Sequence, residues 1–131
     1  MAKYKYIRAD VYKRGITVFI GSRKELTQFA KIAFKDLPEL INAVAKSEDS
    51  TALGTTFLEE FGQSLIWLPK LPKTPDGIAN LSHEIMHATF AMLDYIGVEY
   101  VPDSPNEAYT YLFEFFLYRA LLIKGYKDFK C

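Results

Sequence analysis

Apolar and polar positions alternate over residues 4–21. Ile7, Ala9 and Val11 fall on one side of a first run, and Ile16, Val18 and Ile20 on one side of a second. Successive strand side chains point to opposite faces, so this period of two predicts two strands, each with one buried face. Lys13-Arg14-Gly15 separates the runs and predicts the turn of a β-hairpin. The period then lengthens. Ser22 and Glu25 form an S-x-x-E capping box, and Leu26, Phe29, Ala30 and Ala33 follow at helical spacing. Asp36, Pro38 and Glu39 predict a second helix start, running to about Ala45. Residues 46–54 are polar and read as loop. Residues 55–61 and 64–68 read as a second strand pair turning near Gly62.

The Leu-Pro-Lys-Leu-Pro-Lys-Thr-Pro stretch at 68–75 is neither helix nor central strand, because its prolines lack the N–H that either needs. Thr74-Pro75 then opens a long helix, with Thr74 as N-cap and Pro75 in the first turn. Ile78, Leu81, Ile85, Ala88, Met92 and Ile96 make its apolar stripe, and Gly97 ends it. Asn80, His83, His87 and Asp94 lie on a different face. Ser104-Pro105 opens the last helix, read to about Lys124 before Gly125. Its apolar segment, 111–123, is too short to span a bilayer and carries Glu114 and Arg119. The expected class is α+β, with antiparallel β-hairpins packed on helices in a single domain over residues 1–131.

Composition narrows this further. Of 131 residues, 50% are hydrophobic, enough for one sizeable core. Sixteen basic residues balance sixteen acidic ones, and no basic run suggests nucleic acid or an anionic membrane as partner. The single cysteine, Cys131, excludes a disulfide framework and fits a reducing compartment. The first residues, Met-Ala-Lys-Tyr-Lys-Tyr, lack the apolar run of a secretory signal. These features together predict a cytoplasmic protein.

The candidate chemistry lies in the long helix. Both histidines of the chain occur in His83-Glu84-Ile85-Met86-His87, an H-E-x-x-H pattern. Positions i and i+4 of a helix sit one turn apart on one face, so two imidazoles there can reach one metal ion. The glutamate beside the first histidine can deprotonate a metal-bound water. Chance placement of this pattern has odds of roughly one in a thousand. A catalytic zinc usually takes three protein ligands, and there is no third histidine. Cys131, the last residue, is a poor donor. A carboxylate on the next helix is the better choice, with Glu107 first and Glu114 or Asp103 as alternatives. Glu107 has a competing role, since Ser104-Pro105-Asn106-Glu107 is itself a capping box. Glu107, Tyr111, Glu114 and Tyr118 share one helix face, which suggests a polar pocket. Tyr111, ahead of Tyr109, is the candidate donor to an oxyanion. Asp94 is a candidate partner for an imidazole N–H.

His83-Glu84-x-x-His87 followed by Glu107-Ala108 resembles the glutamate-zincins. The chain is most similar to the small H-E-x-x-H proteins of phages and prophages, and more distantly to ImmA/IrrE-type peptidases. The resemblance implies a zincin-like fold of sheet, motif helix and Glu-bearing helix. It implies Zn²⁺ held by His83, His87 and Glu107, Glu84 as general base, and hydrolysis of a peptide or protein substrate. It also implies that the strand at 64–68 takes the substrate by edge pairing, and a bacterial host cytoplasm if the protein is phage-encoded. By that resemblance the chain is expected to lack the large C-terminal lobe of bigger zincins, and with it a deep, selective cleft. Two other readings stand beside this one: a zincin-fold accessory protein that binds a partner without cutting it, and a metal-free helix with histidines on its surface.

Overall fold

The opening alternation becomes β1 (Ala2–Ala9) and β2 (Arg14–Ile20), an antiparallel pair with Ile7 opposite Ile16. The computed structural model describes residues 2–47 and 54–130. Most of the polar stretch 46–54 therefore lies outside the described residues, as does Cys131. Ile7, Ala9, Ile16, Val18 and Ile20 are buried as their spacing predicts. Val11 is not: it lies in the turn between the strands and is exposed. Both halves of the Ser22–Glu25 capping box form, starting α1 (Arg23–Ala33). Pro38 stands at the first turn of α2 (Pro38–Lys46). β3 (Thr55–Leu58) and β4 (Ser64–Leu68) are antiparallel. Their connection passes through Phe61 and Gly62, both at positive φ.

The five strands form one sheet in the order β3-β4-β2-β1-β5, with β5 at Lys127–Phe129. The two hairpins meet through a parallel pair, β2 with β4, running from Ile16 opposite Ser64 to Ile20 opposite Leu68. The sheet is thus mixed rather than purely antiparallel, because the chain crosses over through α1 and α2 before returning. Each face carries its own core. Ile66 and Leu68 pack with Ile16, Val18 and Ile20 against the two long helices, α3 (Pro75–Tyr95) and α4 (Glu107–Leu121). Leu65, Trp67 and Phe19 pack against α1 and α2. β2 and β4 are therefore covered on both faces, which is why Ser-Leu-Ile-Trp-Leu is apolar at nearly every position.

α4 departs from expectation at both ends. It begins at Glu107, with Asn106 as a left-handed N-cap residue. The Asn106 side chain bonds the Val101 N–H and the carbonyls of Val101 and Ser104, so the Ser104–Glu107 capping box does not form. At the other end the Lys5 ammonium donates to the carbonyls of Arg119 and Leu122 and closes the helix at Leu121. The chain then turns into β5, which pairs with Ala2–Tyr4. Three residues are too few to show a period, and β5 was not expected. Among the described residues no helix is long and apolar enough to cross a membrane.

Candidate functional site

α3 presents its motif where the helix leaves the core. Thr74 accepts from the Gly77 N–H and fixes the start. Leu81, Ile85, Ala88 and Met92 are then fully buried, which fixes the rotation of the helix. His83 and His87 consequently face solvent, and Glu84 turns inward. The two imidazole Nε2 atoms stand 3.1 Å apart, their ring centroids 4.7 Å apart. Two nitrogens at about 2.0–2.1 Å from one tetrahedral ion are separated by about 3.3 Å, so the pair is set close to two adjacent ligand positions. The same spacing also allows an N–H···N bond, if one ring carries its proton on Nε2 and the other on Nδ1. Metal binding requires both Nε2 atoms unprotonated.

Glu84 is 8% exposed. The Thr56 hydroxyl of β3 stands 2.9 Å from its Oε1 and 3.1 Å from its carbonyl oxygen. Its other oxygen, Oε2, lies 4.0 Å from His83 Nε2. Oε1 is thus held by the sheet, and Oε2 is the atom turned towards His83. Glu84 and His87 line an open cleft of about 460 Å³ with Gly54, Thr55, Thr56, Leu58 and Ala91. Gly54 lets the backbone pass closely here, since a Cβ on it would meet Glu84 Cγ at 3.1 Å.

The structure brings His83, Glu84 and His87 together and places the remaining expected residues elsewhere. Among the described residues no group of three His, Cys, Asp or Glu side chains is gathered so as to hold a metal ion. Glu107, Glu114 and Asp103 are exposed and complete no such group with the histidines. The donor chemistry therefore fits zinc at two positions, while the third is not assembled. Tyr111 lines a different cleft, between α4 and the β1–β2 turn. Tyr109 is buried, and its hydroxyl donates to the Val98 carbonyl at 2.6 Å. Burial pushes the Tyr109 phenol up, and the charges of Asp94 and Glu99 add to that. Asp94 is exposed, and among the described residues the imidazoles' polar partners are each other and Glu84.

The strand beside the motif also differs from expectation. β4 pairs on one side with β2 and on the other with β3, so it has no free edge. The edge next to Glu84 belongs to β3. Thr56 and Gly54 were missed by sequence reasoning. The unbroken apolar run of β4 was the available signal that it is central, and that a neighbour must form the edge. Comparison with known proteins finds no match: no family model, curated protein or solved structure aligns significantly with this chain.

Proposed function

We propose that the chain is a zinc-dependent hydrolase of peptide bonds. The observation carrying this reading is the convergence of His83 and His87, Nε2 to Nε2 at 3.1 Å, beside a buried glutamate whose Oε2 stands 4.0 Å from His83 Nε2. His83 and His87 supply two ligands, and Glu107 is assigned the third position ahead of Glu114 and Asp103 on the resemblance to glutamate-zincins. Zinc held there would supply a water acidified towards a pKa of about 7 and a polarised carbonyl. Glu84 accepts the proton of the attacking water on Oε2 and delivers it to the leaving amine nitrogen. Thr56 keeps Oε1 fixed, so the carboxylate does not turn away between those transfers. The outer edge of β3 offers backbone N–H and C=O groups next to Glu84, and an extended peptide pairs there. No step is assigned to Tyr111.

The test is zinc content by mass spectrometry after incubation with zinc at neutral pH, followed by a peptide-cleavage assay. About one zinc per chain is expected. It should be lost in a His83→Ala/His87→Ala variant and reduced in Glu107→Ala. Glu84→Gln should keep the metal and lose at least about a hundredfold in turnover. Undiminished cleavage by Glu84→Gln would remove the base assignment. Unchanged zinc affinity in Glu107→Ala would remove that ligand. The absence of a gathered third ligand among the described residues favours a second reading, capture of an extended peptide on β3 without cleavage. Stable capture that survives Glu84→Gln, with no cleaved product, supports it.

A further inference from the structure

Beyond β5, which pairs only with Ala2–Tyr4, the rest of β1 runs along the sheet edge towards its turn. There the turn and α4 enclose a cleft of about 570 Å³. It shares no lining residue with the cleft at Glu84 and His87. Three phenols, Tyr6, Tyr12 and Tyr111, and the Phe115 ring line it, with Arg8 and Arg119 at its rim. Among the described residues the lining holds one carboxylate, Asp10, which Arg8 engages at 3.2 Å. Two guanidiniums against one carboxylate leave the lining with one net positive charge.

That charge resides at Arg119. Its guanidinium lies over the Phe115 ring, 5.4 Å from the centroid, and has no ion-pair partner among the described residues. A guanidinium oriented by an aromatic face and left without a carboxylate is prepared for a bidentate anion. The Tyr6 hydroxyl is bonded to Gln63 Oε1 at 3.1 Å on the other side of β1, whereas Tyr111 is more than half exposed although it lines a concavity. Aromatic side chains so placed gain by stacking on a second ring. The volume lies within the range of sites that hold one small molecule, about 300–1,000 Å³.

We propose that this cleft binds a small anionic molecule carrying a planar ring, either a nucleoside monophosphate or an aromatic carboxylate. The anion meets Arg119, and the ring lies against Tyr111 and Phe115. The two sources share one chemistry and differ in the size of ring and anion.

The test is a titration of the full-length, ¹⁵N-labelled chain, followed by amide shifts, with adenosine monophosphate, phenylacetate, adenosine and inorganic phosphate as separate probes. Saturable shifts at residues 6–12 and 108–119 with adenosine monophosphate or phenylacetate are expected, and the probe that saturates first names the source. Adenosine and inorganic phosphate should each bind at least about tenfold more weakly, because each lacks half of the recognised chemistry. Arg119→Gln should weaken the anionic ring probe by about tenfold, with the rest of the spectrum unchanged. Arg8→Gln, at an exposed hairpin position, should weaken it about threefold and serves if Arg119→Gln does not fold. The proposal is overturned by any of three results: no saturation by either ring-bearing anion at about 10 mM, equal binding of adenosine and its monophosphate, or full affinity in a folded Arg119→Gln.

Discussion

Replacing Thr56 by valine keeps the shape of a β3 side chain and deletes one hydroxyl. In the native fold that hydroxyl lies 2.9 Å from the Glu84 carboxylate and 3.1 Å from the Glu84 carbonyl oxygen. A hydrogen bond to a charged group contributes about 1.5–3 kcal/mol. One proton serves two acceptors here, so the carboxylate's share is about 1–2 kcal/mol. Valine adds a methyl group at a half-buried position, which offsets at most about 0.5 kcal/mol. A net loss of about 1–2.5 kcal/mol is therefore expected for Thr56→Val. Urea unfolding of wild type, Thr56→Val, Glu84→Ala and the double variant isolates the carboxylate's part, because Glu84→Ala leaves the carbonyl in place. The expected coupling is about 1 kcal/mol, and a value within about 0.3 kcal/mol of zero would mean that Thr56 does not hold the carboxylate. In the proposed reaction Thr56→Val should also slow turnover about tenfold at unchanged zinc content, since a freely rotating Glu84 loses orientation and not chemistry.

Burial pushes the Glu59 carboxyl from its ordinary 4.5 up to about 7. The folded chain therefore holds a proton that the unfolded chain releases, and stability present below about pH 4.5 is lost as pH rises through about 7. Glu59→Gln should abolish that fall, about 1–3 kcal/mol between urea midpoints at about pH 5 and pH 8; an unaltered pH slope would remove Glu59 as its source. Lys5, lowered by burial and then by the Arg119 charge, nevertheless donates to two carbonyls at the end of α4. Lys5→Met should cost about 1–3 kcal/mol in thermal or urea unfolding, and a gain in stability would mean that desolvation outweighs the cap. The Ser64 hydroxyl is buried and has no hydrogen-bond partner among the described residues. Ser64→Ala should be neutral or stabilising by up to about 1 kcal/mol, and a loss above that would reveal a partner the hydroxyl depends on.

Local signals carried far in this chain. The hairpin, the Ser22–Glu25 box, the Thr74 cap and the buried stripe of α3 each depend on residues within one or two turns of each other. The box and the cap formed where the spacing placed them, while the hairpin turns earlier, at Asp10–Lys13, with Val11 exposed, and the stripe is buried from Leu81 to Met92 with Ile78 exposed. α4 did not form where its spacing placed it, because its start is decided by Asn106 bonding back to Val101 and its end by Lys5, far away in the chain. The histidine pair with Glu84 was legible for the same local reason: three residues on one helix need no tertiary knowledge. A third ligand from another helix depends on the relative placement of α3 and α4, which periodicity does not encode. The choice of edge strand is non-local too. It follows from the parallel pairing of β2 with β4, and no spacing within either strand announces that.

That pairing also determines what Glu84 meets. Thr56 lies opposite Ile66, and Phe57 opposite Leu65. Cross-strand neighbours share a face, so Thr56 takes the face of Ile66, whose core includes α3, and Phe57 takes that of Leu65, towards α1 and α2. A slip of one residue would exchange them, setting the Phe57 ring against the Glu84 carboxylate and turning the hydroxyl away. The apolar demand at Phe57, buried among Leu40, Val44 and Leu65, opposes the slip. The polar contact at the candidate site is thus set by a hydrophobic choice on the opposite side of the sheet. A change at Phe57 should reach Glu84 through strand register, without either residue touching the other.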